Sequence, residues 1–309
     1  MHIDLWIWFA FVGFVAVMLV LDLLVFHRDA HEISLAHAAR YSALWLGIGL
    51  GFAGVLYVWR GPDPAGAYLA GYLVEKALSV DNVFVIALIF SAFAVPPRYQ
   101  HRVLFWGVIG AIAMRAGFIF SGAALLDAFH ALIYIFGALL VVTGIRLALH
   151  GDDATNPQNS RALGVLGRAL PMSREYDGQR FLTRSTSGAL VGTPLFAALV
   201  VVEATDLVFA VDSIPAIFAI TTDTFLVFTS NALALLGMRA LFFLLAGSMH
   251  RFAYLKIGLA AILIIVGAKM LVSDLWHVPI GLSLGAIVVV LAVAVGASLR
   301  YPPKSAGHT

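Results

Sequence analysis

Long apolar runs separated by short polar breaks fill almost the whole sequence. They fall near 3–25, 41–59, 68–92, 103–121, 129–149, 190–218, 224–247, 255–273 and 279–299. Each is close to the roughly 20 apolar residues that carry a helix across about 30 Å of hydrocarbon. The pattern predicts an all-α, polytopic membrane protein of about nine transmembrane helices. Composition agrees: the chain is 61% hydrophobic and 12% charged, with a mean hydropathy of +0.96, a balance that polar surface could not cover in water. No Lys or Arg precedes the first run, which exceeds 20 apolar residues, so it reads as a retained helix rather than a cleaved signal peptide.

The basic residues sort by loop. One set of breaks, with the C-terminal tail, carries Arg28, Arg40, Arg98, Arg102, Arg161, Arg168, Arg174, Arg180, Arg184, Arg251, Lys256, Arg300 and Lys304, whereas the alternate breaks carry only Arg60. Positive charge marks the cytoplasmic side, so the N-terminus is expected outside and the C-terminus in the cytoplasm, in the cell (inner) membrane. The loop placement of these bases points to orientation and not to a nucleic-acid partner. The one long break, 150–189, contains Asn156-Pro157 and Pro171 and reads as a solvated cytoplasmic connector. It has room for a short helix near 161–170 and is the candidate docking surface for a protein partner.

An internal repeat organises the rest. Glu75-Lys-Ala-Leu-Ser-Val-Asp81-Asn82 is answered by Asp206-Leu-Val-Phe-Ala-Val-Asp212-Ser213, Met114-Arg115-Ala116 by Met238-Arg239-Ala240, and Ala138 to Arg146 by Ala261 to Lys269. The unit is three spans and the connector begins and ends on one side, so the second copy is expected to be inverted, an arrangement transporters share. The expected organisation is 1–67 peripheral spans, 68–149 first three-helix repeat, 150–189 connector, 190–273 inverted repeat, and 274–309 final span and tail.

Charge inside spans is costly, at least about 2.5–3.5 kcal/mol per group at the centre of a helix. Glu75, Asp81, Glu203, Asp206 and Asp212 stand there against Lys76, Arg115 and Arg239. Five acids and three bases leave a formal −2, the deficit of one divalent cation. Structural ion pairing is the competing reading of these acids, with Arg115, Arg239 and Lys76 as counter-ions. Asp22, Arg146 and Lys269 lie near span ends and are expected to reach the interface. At about 100° per residue, Glu75, Ser79 and Asn82 share one face, while Asp81 is offset from Glu75 and Asp212 from Asp206. Pro215 is expected to loosen its helix beside Asp212 and to free the Val211 carbonyl as a ligand. Carboxylate, amide, hydroxyl and carbonyl oxygens in a chain without cysteine suit Mg²⁺, Ca²⁺ or Mn²⁺.

Two segments carry a family resemblance: Glu75-Lys-Ala-Leu-Ser-Val-Asp-Asn-Val-Phe-Val85, and the stretch from Glu203 through Asp206, Asp212-Ser-Ile-Pro215 to Thr221. With Leu170-Pro-Met-Ser-Arg-Glu-Tyr-Asp-Gly178 of the connector, they resemble the TerC family of integral membrane proteins, related to the lysine-exporter superfamily. The resemblance implies Mn²⁺ export, and the family name implies an association with tellurite resistance. It carries over Glu75, Asp81, Asp206 and Asp212, with Asn82 and Ser213 beside them. The expectation is therefore a non-enzymatic secondary transporter in the lipid bilayer. It exports a divalent cation, Mn²⁺ first, with no permanently bound cofactor. Asp81 and Asp212 are the expected core ligands, with Glu75 and Asp206 as ligands or proton acceptors. Asn82, Ser213 and the Val211 carbonyl complete the shell, and Glu203 is the further proton acceptor. No phosphate-loop motif is present to couple ATP directly. The alternative is a non-transporting scaffold in tellurite or stress resistance that recruits partners through 150–189. Direct reduction of tellurite fits poorly, because thiols are lacking.

Overall fold

The computed structural model describes residues 3–26, 35–129, 131–149, 171–173, 175–184, 188–245, 254–272 and 279–300. A few side chains within helices, that of Asp81 among them, lie outside the described set. The helices are α1 (Leu5–Phe26), α2 (Leu35–Arg60), α3 (Pro62–Ala92), α4 (Pro97–Ala128), α5 (Leu132–Leu149), α6 (Pro194–Phe218), α7 (Thr224–Leu235), α8 (Met238–Leu245), α9 (Leu255–Leu271) and α10 (Ile280–Arg300). All nine apolar runs fall on a helix or, for 224–247, on the pair α7 and α8. The chain is an all-α, multi-pass integral membrane protein. Among the described residues, six helices are long and apolar enough to cross a membrane, or seven with α7 and α8 counted as one bent span. Of the rest, α3 is interrupted by Glu75, Lys76 and Asp81, and α9 has only 17 residues.

Prolines set three helix starts. Pro62, Pro97 and Pro194 each open a helix, where a missing N–H costs nothing and the fixed φ suits the first turn. Asp223 caps α7 by accepting from the Phe225 and Leu226 amides at 3.0 and 3.3 Å. Its other oxygen pairs with Arg60 at 2.8 Å, which ties the end of α2 to the start of α7.

The bundle is built around α3, which packs against α2, α6, α7, α8 and α10. Glycine sets the approach of α5 to α9, which run antiparallel. A Cβ on Gly144 would lie 2.8 Å from the Ala260 carbonyl oxygen, and one on Gly267 would lie 2.7 Å from that of Gly137. Small residues let backbones meet where lipid offers no hydrophobic drive between helices.

Three expectations are corrected. The span 224–247 is broken: α7 and α8 meet at 43° across Gly237, whose φ of 79° belongs to the left-handed region that glycine enters without penalty. Gly237 also lies against Trp45, leaving no room for a Cβ. By contrast, α6 continues through Pro215 to Phe218, so the helix is not broken beside Asp212, although Pro215 has no N–H to offer the Val211 carbonyl. Finally, α6 starts at Pro194 rather than near 190, because Leu190–Gly192 forms strand β2, antiparallel to strand β1 (Leu182–Arg184).

That ribbon belongs to the end of the connector, whose expected helix near 161–170 lies outside the described residues. It is docked, not merely solvated: the Tyr176 hydroxyl donates to the Phe93 carbonyl at 2.8 Å, and Arg102 lies over the Phe181 ring at 5.0 Å. The described end of the connector thus sits at the end of α3 opposite the Arg60–Asp223 pair.

Candidate cation site between α3 and α6

Burial selects a centre. Glu75 is fully buried, Arg115 is 1% exposed and Asp206 is 7% exposed. They come from α3, α4 and α6. Arg115 grips Asp206 with two parallel hydrogen bonds, Nε to Oδ2 at 3.1 Å and Nη2 to Oδ1 at 2.9 Å, the fork geometry that makes guanidinium–carboxylate contacts strong. Its Nη1 donates to Glu75 Oε1 and also faces Ser213 Oγ at 3.2 Å and Asn231 Oδ1 at 3.3 Å. Asn231 Nδ2 in turn donates to Glu75 Oε2 at 3.1 Å. All four carboxylate oxygens of Glu75 and Asp206 therefore have donors, and a single guanidinium joins the buried acids of α3 and α6.

The periodicity holds on both helices. Glu75, Ser79 and Asn82 are all buried along one face of α3, with Ser79 Oγ donating to the Glu75 carbonyl at 2.8 Å. On α6, Asp212 points elsewhere than Asp206. It is half-buried and accepts from Thr143 Oγ1 of α5 at 3.0 Å. Among the described residues no Lys or Arg lies within ion-pair distance of Asp212, and no three His, Asp or Glu side chains converge on one point. The expected core ligand Asp81 lies on α3 with its side chain outside the described set, and the Val211 side chain is exposed.

Two cavities flank the centre. One, of about 90 Å³, is bordered by Asn82, Arg115, Thr143, Phe209, Asp212 and Ser213. The other, of about 20 Å³, is bordered by Asn82, Gly107, Ala111, Thr205, Asp206 and Phe209. Asn82 and Phe209 are common to both. Asn82 is 3% exposed, and its Nδ2 has no hydrogen-bond partner among the described residues. A buried amide left this way marks a place where a polar ligand would be satisfied.

The expected counter-ions separate. Arg115 is central, but Arg239, its counterpart in the repeat, pairs with Asp22 of α1, Nε to Oδ2 at 3.0 Å. Arg239 Nη2 also donates to the Asp22 carbonyl at 3.1 Å. Asp22, expected at the interface, is buried. The break at Gly237 redirects Arg239, two residues into α8, towards α1. Lys76 serves neither acid: its Nζ donates to the Ala234 carbonyl at 3.0 Å, at the buried C-terminal end of α7, where helix carbonyls lack partners and the dipole favours a cation. Glu203, one turn before Asp206, lies against Gly110 of α4, where a Cβ would collide with its carboxylate. Its Oε2 has no hydrogen-bond partner among the described residues.

Two partners escape a reading that ranks only charged side chains, Asn231 and Thr143; a third, Asp22, is charged, but its place near a span end hides its burial. For Asn231 the signal is a Thr229-Ser230-Asn231 triplet within an otherwise apolar run.

Comparison with known proteins places this constellation in context. The model of the integral membrane protein TerC family matches residues 60–306. An uncharacterized membrane protein, STKORF319, of Myxococcus xanthus is 47% identical over 302 residues, covering 97% of this chain and 94% of that protein. The "Putative membrane-bound redox modulator Alx" of Escherichia coli K12 is 44% identical over 306 residues, covering 96% and 95%, and that of Salmonella typhi is 44% identical over 296 residues, covering 93% and 92%. No solved structure matches the chain at a significant level.

Proposed function

We propose that this chain, which belongs to the TerC family of integral membrane proteins, is a secondary transporter that exports a divalent cation through the carboxylates of α3 and α6. Mn²⁺ is the first candidate, by the resemblance of its acidic motifs. One observation carries the reading: two buried carboxylates from separate helices, Glu75 and Asp206, face each other around one cationic group. Buried charge is retained in a membrane at a cost that function commonly explains. The surrounding donors are hard oxygens of the kind Mn²⁺, Mg²⁺ and Ca²⁺ prefer. Asn82, Ser213 and Asp212 extend the set along the adjoining cavity, with Asp81 on the same helix as Asn82. Glu203 is the candidate proton carrier. The cation is substrate here rather than a resident cofactor, and the chain acts as a carrier, not an enzyme.

Nine spans in an inverted three-helix repeat form the architectural part of the proposal. The α5–α9 contact supports it: a shift of 123 residues converts Gly144 against Ala260 into Gly267 against Gly137, as a two-fold axis between the helices requires. The Arg60–Asp223 pair and the docked connector at opposite ends of α3 fit an inner-membrane orientation with 150–189 and the C-terminus cytoplasmic.

Names such as redox modulator belong to the relatives. In this chain, which has no cysteine, thiol exchange has no group to act through. The scaffold reading makes opposite demands on variants: it requires the connector and tolerates neutral residues at Glu75 and Asp206. The test is flux of Mn²⁺, Ca²⁺ and Mg²⁺ into vesicles containing the purified protein. Uptake of at least one supports transport, and uptake of none above protein-free vesicles refutes it.

A further inference from the structure

We infer that Arg115 is a tethered counter-cation which the transported ion displaces, and that Asp212, across the adjoining cavity, receives the displaced guanidinium. The inference rests on the transport reading above and assigns two of its residues different tasks. Arg115 holds both acids of the centre, so a dication cannot use Glu75 and Asp206 while the guanidinium stays. Room to leave lies beside it. The cavity of about 90 Å³ is bordered by Arg115 and by Asp212, and it is several times the ~10–15 Å³ that admits one water. Asp212 is held there by a neutral hydroxyl, Thr143, and has no cationic partner among the described residues. Asn82, with an unpartnered buried Nδ2, borders both cavities and can turn its amide oxygen towards an ion at the centre.

Charge favours the exchange. Glu75, Asp206, Asp212 and Arg115 carry a formal −2 in total. With a dication between Glu75 and Asp206 and Arg115 on Asp212, every one of these charges is compensated. Without the dication, Arg115 returns to the two more deeply buried acids and offsets one of their two charges, leaving a formal −1 shared over that hydrogen-bonded centre and −1 on the half-buried Asp212. The unloaded carrier therefore never holds Glu75 and Asp206 without a cation between them, a state costly enough to oppose its return step.

The test uses the full chain in lipid nanodiscs for Mn²⁺ binding and in proteoliposomes for flux. Arg115→Gln should bind Mn²⁺ at least about tenfold more tightly, a difference of about 1.4 kcal/mol. It should lose net flux and retain Mn²⁺–Mn²⁺ exchange. Asp212→Asn should weaken binding when Arg115 is present and leave affinity unchanged when added to Arg115→Gln. If Arg115→Gln does not fold, Arg115→Lys serves: its single ammonium lacks the fork, so Mn²⁺ should bind more tightly than in wild type while net flux persists. Equal or weaker binding in the folded Arg115 variant overturns the exchange. Equal weakening by Asp212→Asn in both backgrounds also overturns it, because Asp212 is then an ordinary ligand. Wild-type protein that neither binds nor moves a divalent cation refutes the transport reading itself and removes the basis of the inference.

Discussion

Arg115 of α4 and Asp206 of α6 form a two-bond fork, 2.9 and 3.1 Å long, with both side chains buried. The counterpart arginine, Arg239, makes its ion pair with Asp22 at 3.0 Å, outside the repeat. Two arginines at matching positions thus hold different parts of the molecule, and variants should separate them.

Asp22→Asn removes the charge that compensates Arg239 while keeping size and one acceptor. Breaking a buried pair costs about 3–5 kcal/mol, so the apparent Tm in detergent should fall clearly. Mn²⁺ affinity of the surviving folded fraction should match wild type. A changed affinity at unchanged Tm would place Asp22 in the cation path.

Asn231→Ala leaves Glu75 Oε2 without its donor and removes one of several acceptors around Arg115. A buried group stripped of its partner costs about 1–3 kcal/mol. Thermal stability should drop, and flux at matched protein should fall too, because Glu75 loses its orientation. Flux equal to wild type would show that Asn231 only fills space.

Gly267→Leu inserts a side chain where even a Cβ would lie 2.7 Å from the Gly137 carbonyl. Overpacking of this kind costs about 1–3 kcal/mol, and backbone on the far side leaves little to yield. Expression of folded protein, read by size-exclusion chromatography, should fall. The same change at Gly281, with nothing within 4 Å, should be tolerated.

Lys76→Met keeps the bulk of the side chain and removes the ammonium bound to the Ala234 carbonyl. The end of α7 should then fray, seen as faster amide hydrogen exchange around residues 235–240. Unchanged exchange would mean that packing alone holds the α7–α8 break.

Apolar runs mark every helix in the sequence, because lipid demands length and hydrophobicity together. Three helices start earlier than hydropathy suggests, α2 at Leu35, α3 at Pro62 and α4 at Pro97 rather than near 41, 68 and 103, since polar first turns extend beyond the hydrocarbon. Glu75, Asp206 and Arg115 stand out because charge in a span is rare. Neutral partners do not: Asn231 and Thr143 cost less to bury, so their presence in a span carries little signal. Proline and glycine mislead in opposite directions. Pro215 sits inside a continuous helix, whereas the bend falls at Gly237, where a positive φ and the closeness of Trp45 leave no room for a Cβ. That bend is also why Arg239 does not repeat the role of Arg115. A linear alignment of the two repeats cannot show it.

The most direct test of the central claim is Mn²⁺ uptake by proteoliposomes holding equal amounts of folded wild-type, Glu75→Gln, Asp206→Asn and Asp22→Asn protein. Transport through the buried carboxylates of α3 and α6 predicts uptake by wild type and by Asp22→Asn. It predicts loss of at least about 90% of the rate in the other two, as expected when a charge that offsets dehydration of the ion is removed. Uptake at the wild-type rate in both Glu75→Gln and Asp206→Asn would contradict it.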